Sequence, residues 1–154
     1  MKPKMILFGL GILFASAVVC AAQSPHMGTW KLNEAKSKFP KGATKNHTVV
    51  YEMVGDDVKV TVDGTDATGG AIHNEWTGKF DGKSYAVTGD PSHDMRSYRK
   101  INTRTLSIRN TQGGKLVANG TITVSRDGKT RTVVTRTRNA KGVWASSTGV
   151  YDKQ

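Results

Sequence analysis

The feature that most restricts this chain is a two-residue rhythm, cut into short stretches by turns. Val58, Val60 and Val62 alternate with Lys59, Thr61 and Asp63. Ile72, Asn74, Trp76 and Gly78 stand opposite His73, Glu75 and Thr77, and Leu106 and Ile108 stand opposite Thr105, Ser107 and Arg109. A period of two puts alternate side chains on opposite faces, which is the pattern of a half-buried strand and not of a helix. Between these stretches lie hairpin-sized turns such as Gly55-Asp56-Asp57, Asp81-Gly82-Lys83, Gln112-Gly113-Gly114 and Arg126-Asp127-Gly128-Lys129. Strands joined one after another by short turns make an up-and-down meander. A long meander closes on itself because closure removes both unpaired edges. The expected fold is all-β: a single antiparallel up-and-down barrel of about 8–10 strands. The one helical opportunity is a turn or two at residues 33–39, capped by Asn33 and ended by Pro40 and Gly42. Residues 64–70 read as a glycine-rich turn, and the longest strand, residues 115–125, as bulged at Gly120.

Ahead of this region, Lys2 and Lys4 precede a run from residue 6 to 19 that is almost wholly apolar, and Cys20-Ala21-Ala22 supplies small residues. This is the layout of a secretory signal peptide with cleavage after Ala22. The division is therefore residues 1–22 as leader and residues 23–154 as one barrel domain, enough chain to bury a core. The expected destination is secreted or periplasmic, in a bacterial envelope. Cys20 is the only cysteine. Its lipidation is the second reading of the leader, because Val19 is bulky where a lipoprotein signal carries a small residue. Removal of the leader leaves no cysteine and no disulfide. Contact with a membrane is expected only through the leader, if it is retained or lipidated.

The net charge of +11 is unevenly spread. Residues 23–94 hold 8 Lys/Arg and 10 Asp/Glu, whereas residues 95–154 hold 13 and 2. A cationic half attracts anionic polymers or lipid headgroups. The basic residues alternate with Thr, Val and Ser and do not run together, which suits a solvated barrel exterior and no specific nucleic acid. No Gly-x-Ser-x-Gly, His-Glu-x-x-His or phosphate-binding loop is present. The four histidines, His26, His47, His73 and His93, fall on separate segments without metal-ligand spacing. The expectation is a monomeric binding protein, with no catalytic residue, cofactor or metal.

Gly28-Thr29-Trp30-Lys31-Leu32 resembles the Gly-x-Trp opening of the calycins, the lipocalins and fatty-acid-binding proteins, and Thr148-Gly149-Val150-Tyr151-Asp152-Lys153 resembles the closing strand of the fatty-acid-binding type. The chain is most similar to bacterial secreted lipocalin-like proteins. The resemblance implies that Gly28 and Trp30 plug one end of a barrel, with Arg131, Arg136 or Arg138 stacked on the indole. It implies a small, partly hydrophobic ligand in the lumen. The chain departs from the family at several points. There is no Thr-Asp-Tyr loop, residues 33–44 are too few for a two-helix lid, and Gly149 stands where the fatty-acid binders carry a carboxylate-binding Arg. The family's own ligand set is therefore not carried over. A different pair offers itself: Arg96 and Tyr98 share a strand face. If that face lines the lumen, Arg96 pairs a ligand carboxylate and Tyr98 adds a hydrogen bond; otherwise both face water beside Lys100. Trp76 and Ile72 line the same cavity or belong to the core. The alternative function is a basic surface module that holds an anionic polymer or membrane without catalysis.

Overall fold

Each alternating stretch becomes a strand in the computed structural model, which describes residues 23–139 and 141–154. The leader, Cys20 included, lies outside the described residues. The strands are β1 (Gly28–Leu32), β2 (Lys45–Val54), β3 (Asp57–Thr65), β4 (Ala71–Gly78), β5 (Tyr85–Thr88), β6 (Met95–Asn102), β7 (Thr105–Gln112), β8 (Lys115–Val124), β9 (Thr130–Arg138) and β10 (Trp144–Lys153). Each pairs antiparallel with its neighbours in sequence, and β1 pairs with both β2 and β10, which closes a ten-stranded barrel. Closure is carried by Trp30, Lys31 and Leu32 opposite Lys153, Asp152 and Tyr151. The helical stretch shrinks to one 3-10 turn, Glu34–Lys36, whose Lys36 amide donates to the Asn33 side chain.

Two local expectations are corrected. Gly64 and Thr65 extend β3 and do not belong to the turn, since they pair with Asn46 and Lys45. The irregularity in β8 is not at Gly120, which pairs in register with Ile108 and Thr135. It lies at Val117, the extra residue between the pairs Asn110–Ala118 and Thr111–Leu116. Gly120 has a different task. A Cβ there would sit 2.0 Å from the Val134 carbonyl oxygen, so only glycine lets the two backbones approach at this bend.

The barrel has unlike ends. The base gathers the chain start, the C-terminus and the β2–β3, β4–β5, β6–β7 and β8–β9 turns. Inward side chains there fill the lumen: Trp30 and Val60 are 0% exposed, and Trp76, Leu106 and Val124 are each 1% exposed. Close packing of this kind is what holds a chain without disulfides together. Toward the opposite end, the mouth, Ile72 is only half-buried, while Ile108 and Val133, beside Tyr98 and Ile122, pack partly buried against the core. Between the filled base and the mouth lies a polar cluster on β4 and β6.

Candidate binding site in the barrel interior

Strand β5 is short, and this shapes the wall around the cluster. It pairs with β4 only through Thr88 and Val87, and with β6 only through Tyr85 and Ala86. Across this thin seam the indole Nε1 of Trp76 donates to the Arg96 carbonyl oxygen at 2.9 Å, tying β4 directly to β6. The same ring meets Tyr98 edge-on at 4.8 Å and Tyr85 at 5.7 Å. Tyr98 in turn contacts Tyr51 and Phe80, and burial pushes its phenol above the ordinary range.

Arg96 points inward and is 4% exposed. Its Nη2 donates to Asn74 Oδ1 at 3.3 Å and to His93 Nε2 at 2.8 Å. Since a guanidinium only donates, His93 Nε2 must accept, which leaves the ring proton on Nδ1. That nitrogen faces Ser92 Oγ at 3.0 Å and Asp90 Oδ2 at 3.4 Å. Asn74 Nδ2 donates to the same Asp90 oxygen at 3.2 Å. Burial pushes the Asp90 carboxyl up. Hydrogen bonds from His93 and from the Ser92 hydroxyl and amide outweigh it and hold the group well below the usual carboxylate range. Asp90 is thus a fixed anion two bonds removed from Arg96, with His93 and Asn74 as the bridges.

Two polar atoms in this cluster have no partner. The Nε of Arg96 is buried and unbonded, and so is the Oδ1 of Asn110. Arg96 and Asn110 are register partners on β6 and β7. An unpaired buried N–H and an unpaired buried oxygen therefore sit on adjacent strands of one wall. Each costs on the order of 1–3 kcal/mol when left unpaired. A bound molecule that offers an acceptor to one and a donor to the other recovers that cost.

A second buried cation stops the base. Arg131 is 2% exposed, and its guanidinium lies 5.3 Å from the Trp30 ring centre, 5.0 Å from Tyr51 and 4.7 Å from Tyr151. Of the three arginines considered for a stack on Trp30, it is Arg131 that makes one; Arg136 lies over Trp144 instead. No carboxylate pairs with Arg131 among the described residues. Ring quadrupoles are its compensation. The Tyr151 hydroxyl is pushed up to about 12 by burial, partly offset by Arg131. Lys153 approaches the same indole at 5.2 Å. Gly28 makes room for it: φ there is +105°, and a Cβ would lie 3.1 Å from Lys153 Cε. Under the plug, the 1% exposed His26 ring packs edge-on to Phe80 while its carbonyl accepts from Trp30 Nε1 at 2.9 Å.

All four side chains singled out in sequence, Arg96, Tyr98, Trp76 and Ile72, face the barrel interior, and they divide by depth. Trp76 and Tyr98 are locked in the aromatic packing. Arg96 ends at the boundary between packed base and mouth, and Ile72 lies on the half-buried mouth wall. Asn74, Asp90, His93 and Asn110 complete the cluster and were not legible as a unit. Asn74 shared the Trp76 face, which is a signal. His93 and Asp90 sit in a loop whose fold over the wall no periodicity announces.

These features define a closed ten-strand antiparallel barrel with a stoppered base and a buried basic-polar cluster below its mouth, an architecture compatible with a calycin-like barrel. No protein-family model matches the chain, and no curated protein matches it in sequence.

Proposed function

We propose that this is a calycin-type, lipocalin-like binding protein, exported to the bacterial envelope, that takes a small, partly hydrophobic molecule into the mouth half of its lumen. The observation that supports the reading is the unmet bonding at Arg96 Nε and Asn110 Oδ1, buried side by side on adjacent strands toward the mouth. The packed base excludes a long ligand, so the molecule is short and has a polar head. Its head meets Arg96 and Asn110, and its apolar part lies against Ile72 and Ile108. The binding involves no covalent chemistry.

The test is displacement of a fluorescent medium-chain fatty acid. Binding is expected to survive moderate salt, because a buried contact is screened far less than a surface one. Arg96→Leu is expected to weaken it by about tenfold or more, in line with the loss of a charge-assisted hydrogen bond. Failure of the probe to bind the folded protein, or equal binding by the Leu variant, contradicts the proposal.

A further inference from the structure

The outer wall of β7–β10 differs from the rest of the surface. Strands β6, β7, β8 and β9 contain no Asp or Glu, and β10 contains only Asp152, near the base. Strand register places Arg109, Asn119, Arg136 and Ser146 in one row across this wall. Arg138 stands two residues beyond Arg136 on the same face, opposite Trp144. All three arginines are exposed, and Arg136 lies 5.8 Å from the centre of the half-buried Trp144 ring. Every ion pair among the described residues lies at or before His93, ahead of β6. The cations of this wall therefore take part in no ion pair among the described residues. At its mouth end Val143 is 59% exposed, beside exposed Lys141.

We infer that this wall docks on an anionic membrane surface, with the Val143–Trp144 tip at the headgroup level and Arg136, Arg138 and Lys141 on lipid phosphates. The apolar tip decides between a bilayer and a soluble polyanion. A polyanion satisfies the arginines and leaves Val143 in water, whereas an interface takes both the cations and the tip, and Trp is the side chain that favours it. The contact lies on the outside of the barrel at its mouth, so it goes beyond the lumen reading and does not require it.

The test is co-sedimentation of the protein with phosphatidylcholine vesicles, with and without phosphatidylglycerol. Binding is expected only with the anionic lipid and is expected to fall as salt rises. Trp30 and Trp76 are buried, so a blue shift of emission on binding reports Trp144. R136E/R138E is expected to lose about tenfold or more in vesicle affinity. The matched reversal K83E/K129E, at the base, is expected to change it little, with both variants keeping the wild-type melting temperature. Arg96→Leu should bind vesicles as the wild type does, which separates this inference from the lumen proposal. Equal binding to neutral vesicles overturns it, as does no binding at all. So does an equal loss in the base variant, or removal from vesicles by dextran sulfate with no shift in emission.

Discussion

His26 is the residue at which burial and neighbouring charge act together most strongly against protonation. Both of its ring nitrogens are buried without partners, and burial, followed by the positive charges of Arg131, Lys100 and Lys153, lowers its pKa from 6.5 to about 4. The folded state therefore resists a proton that the unfolded chain accepts. The stability that His26 retains is fully present above pH 6.5 and is lost as pH falls from there through about 4. At 1.36 kcal/mol per unit the loss is roughly 3 kcal/mol. His26→Phe keeps the edge-on contact with Phe80 and removes both orphaned nitrogens. Melting curves at pH 7, 5.5 and 4 are expected to show the variant gaining on the wild type as pH drops. A constant difference across that range contradicts the assignment. The sequence did not disclose this residue, because a histidine just ahead of a strand carries no mark of burial. Trp30 was legible by contrast, since Gly-x-Trp at the head of a meander is a pattern in its own right.

At the scale of the element, the weak place is β5. Four residues long, it leaves a thin seam between β4 and β6 that the Trp76 indole bridges by its bond to the Arg96 carbonyl and Asn74 by its bond to the Arg96 side chain. Trp76→Phe removes that bond and part of the packing under Tyr98 and Tyr85. A cost of about 2–3 kcal/mol is expected from one lost hydrogen bond and a partly filled void. Hydrogen exchange should show it as faster exchange in β5 and β6 ahead of the other strands. Uniform acceleration through the barrel contradicts the seam. Strand existence was plain in sequence because Val58, Val60 and Val62 keep their period over a full strand. Irregularities were not. The extra residue in β8 falls at Val117 because the partner strand fixes the register, and β7 is not visible from β8 alone. Glycine marked a real constraint at position 120, but the constraint is a close backbone approach and not a bulge.

For the whole molecule, closure and uneven filling matter together. The meander and its closure followed from turn spacing and alternation, which are local properties. The Trp30 stopper was expected from the Gly-x-Trp resemblance and not from periodicity, whereas the choice of Arg131 for it and the cluster at Arg96 were not legible. They depend on which side chains meet across strands distant in sequence: Arg131 with Tyr51 and Tyr151, and Arg96 with Asn74 and His93. With one end of the closed sheet packed, the proposed guest would enter from the other. The most direct measurement is a nuclear magnetic resonance titration of the protein with a medium-chain fatty acid, following backbone amides and the Arg96 Nε–H. Shifts at Arg96 Nε, Asn110, Ile72 and Ile108, with Trp30 and Leu106 unmoved, are the predicted result. Shifts confined to Arg109, Arg136 and Trp144 on the outer wall, or none at all, contradict it.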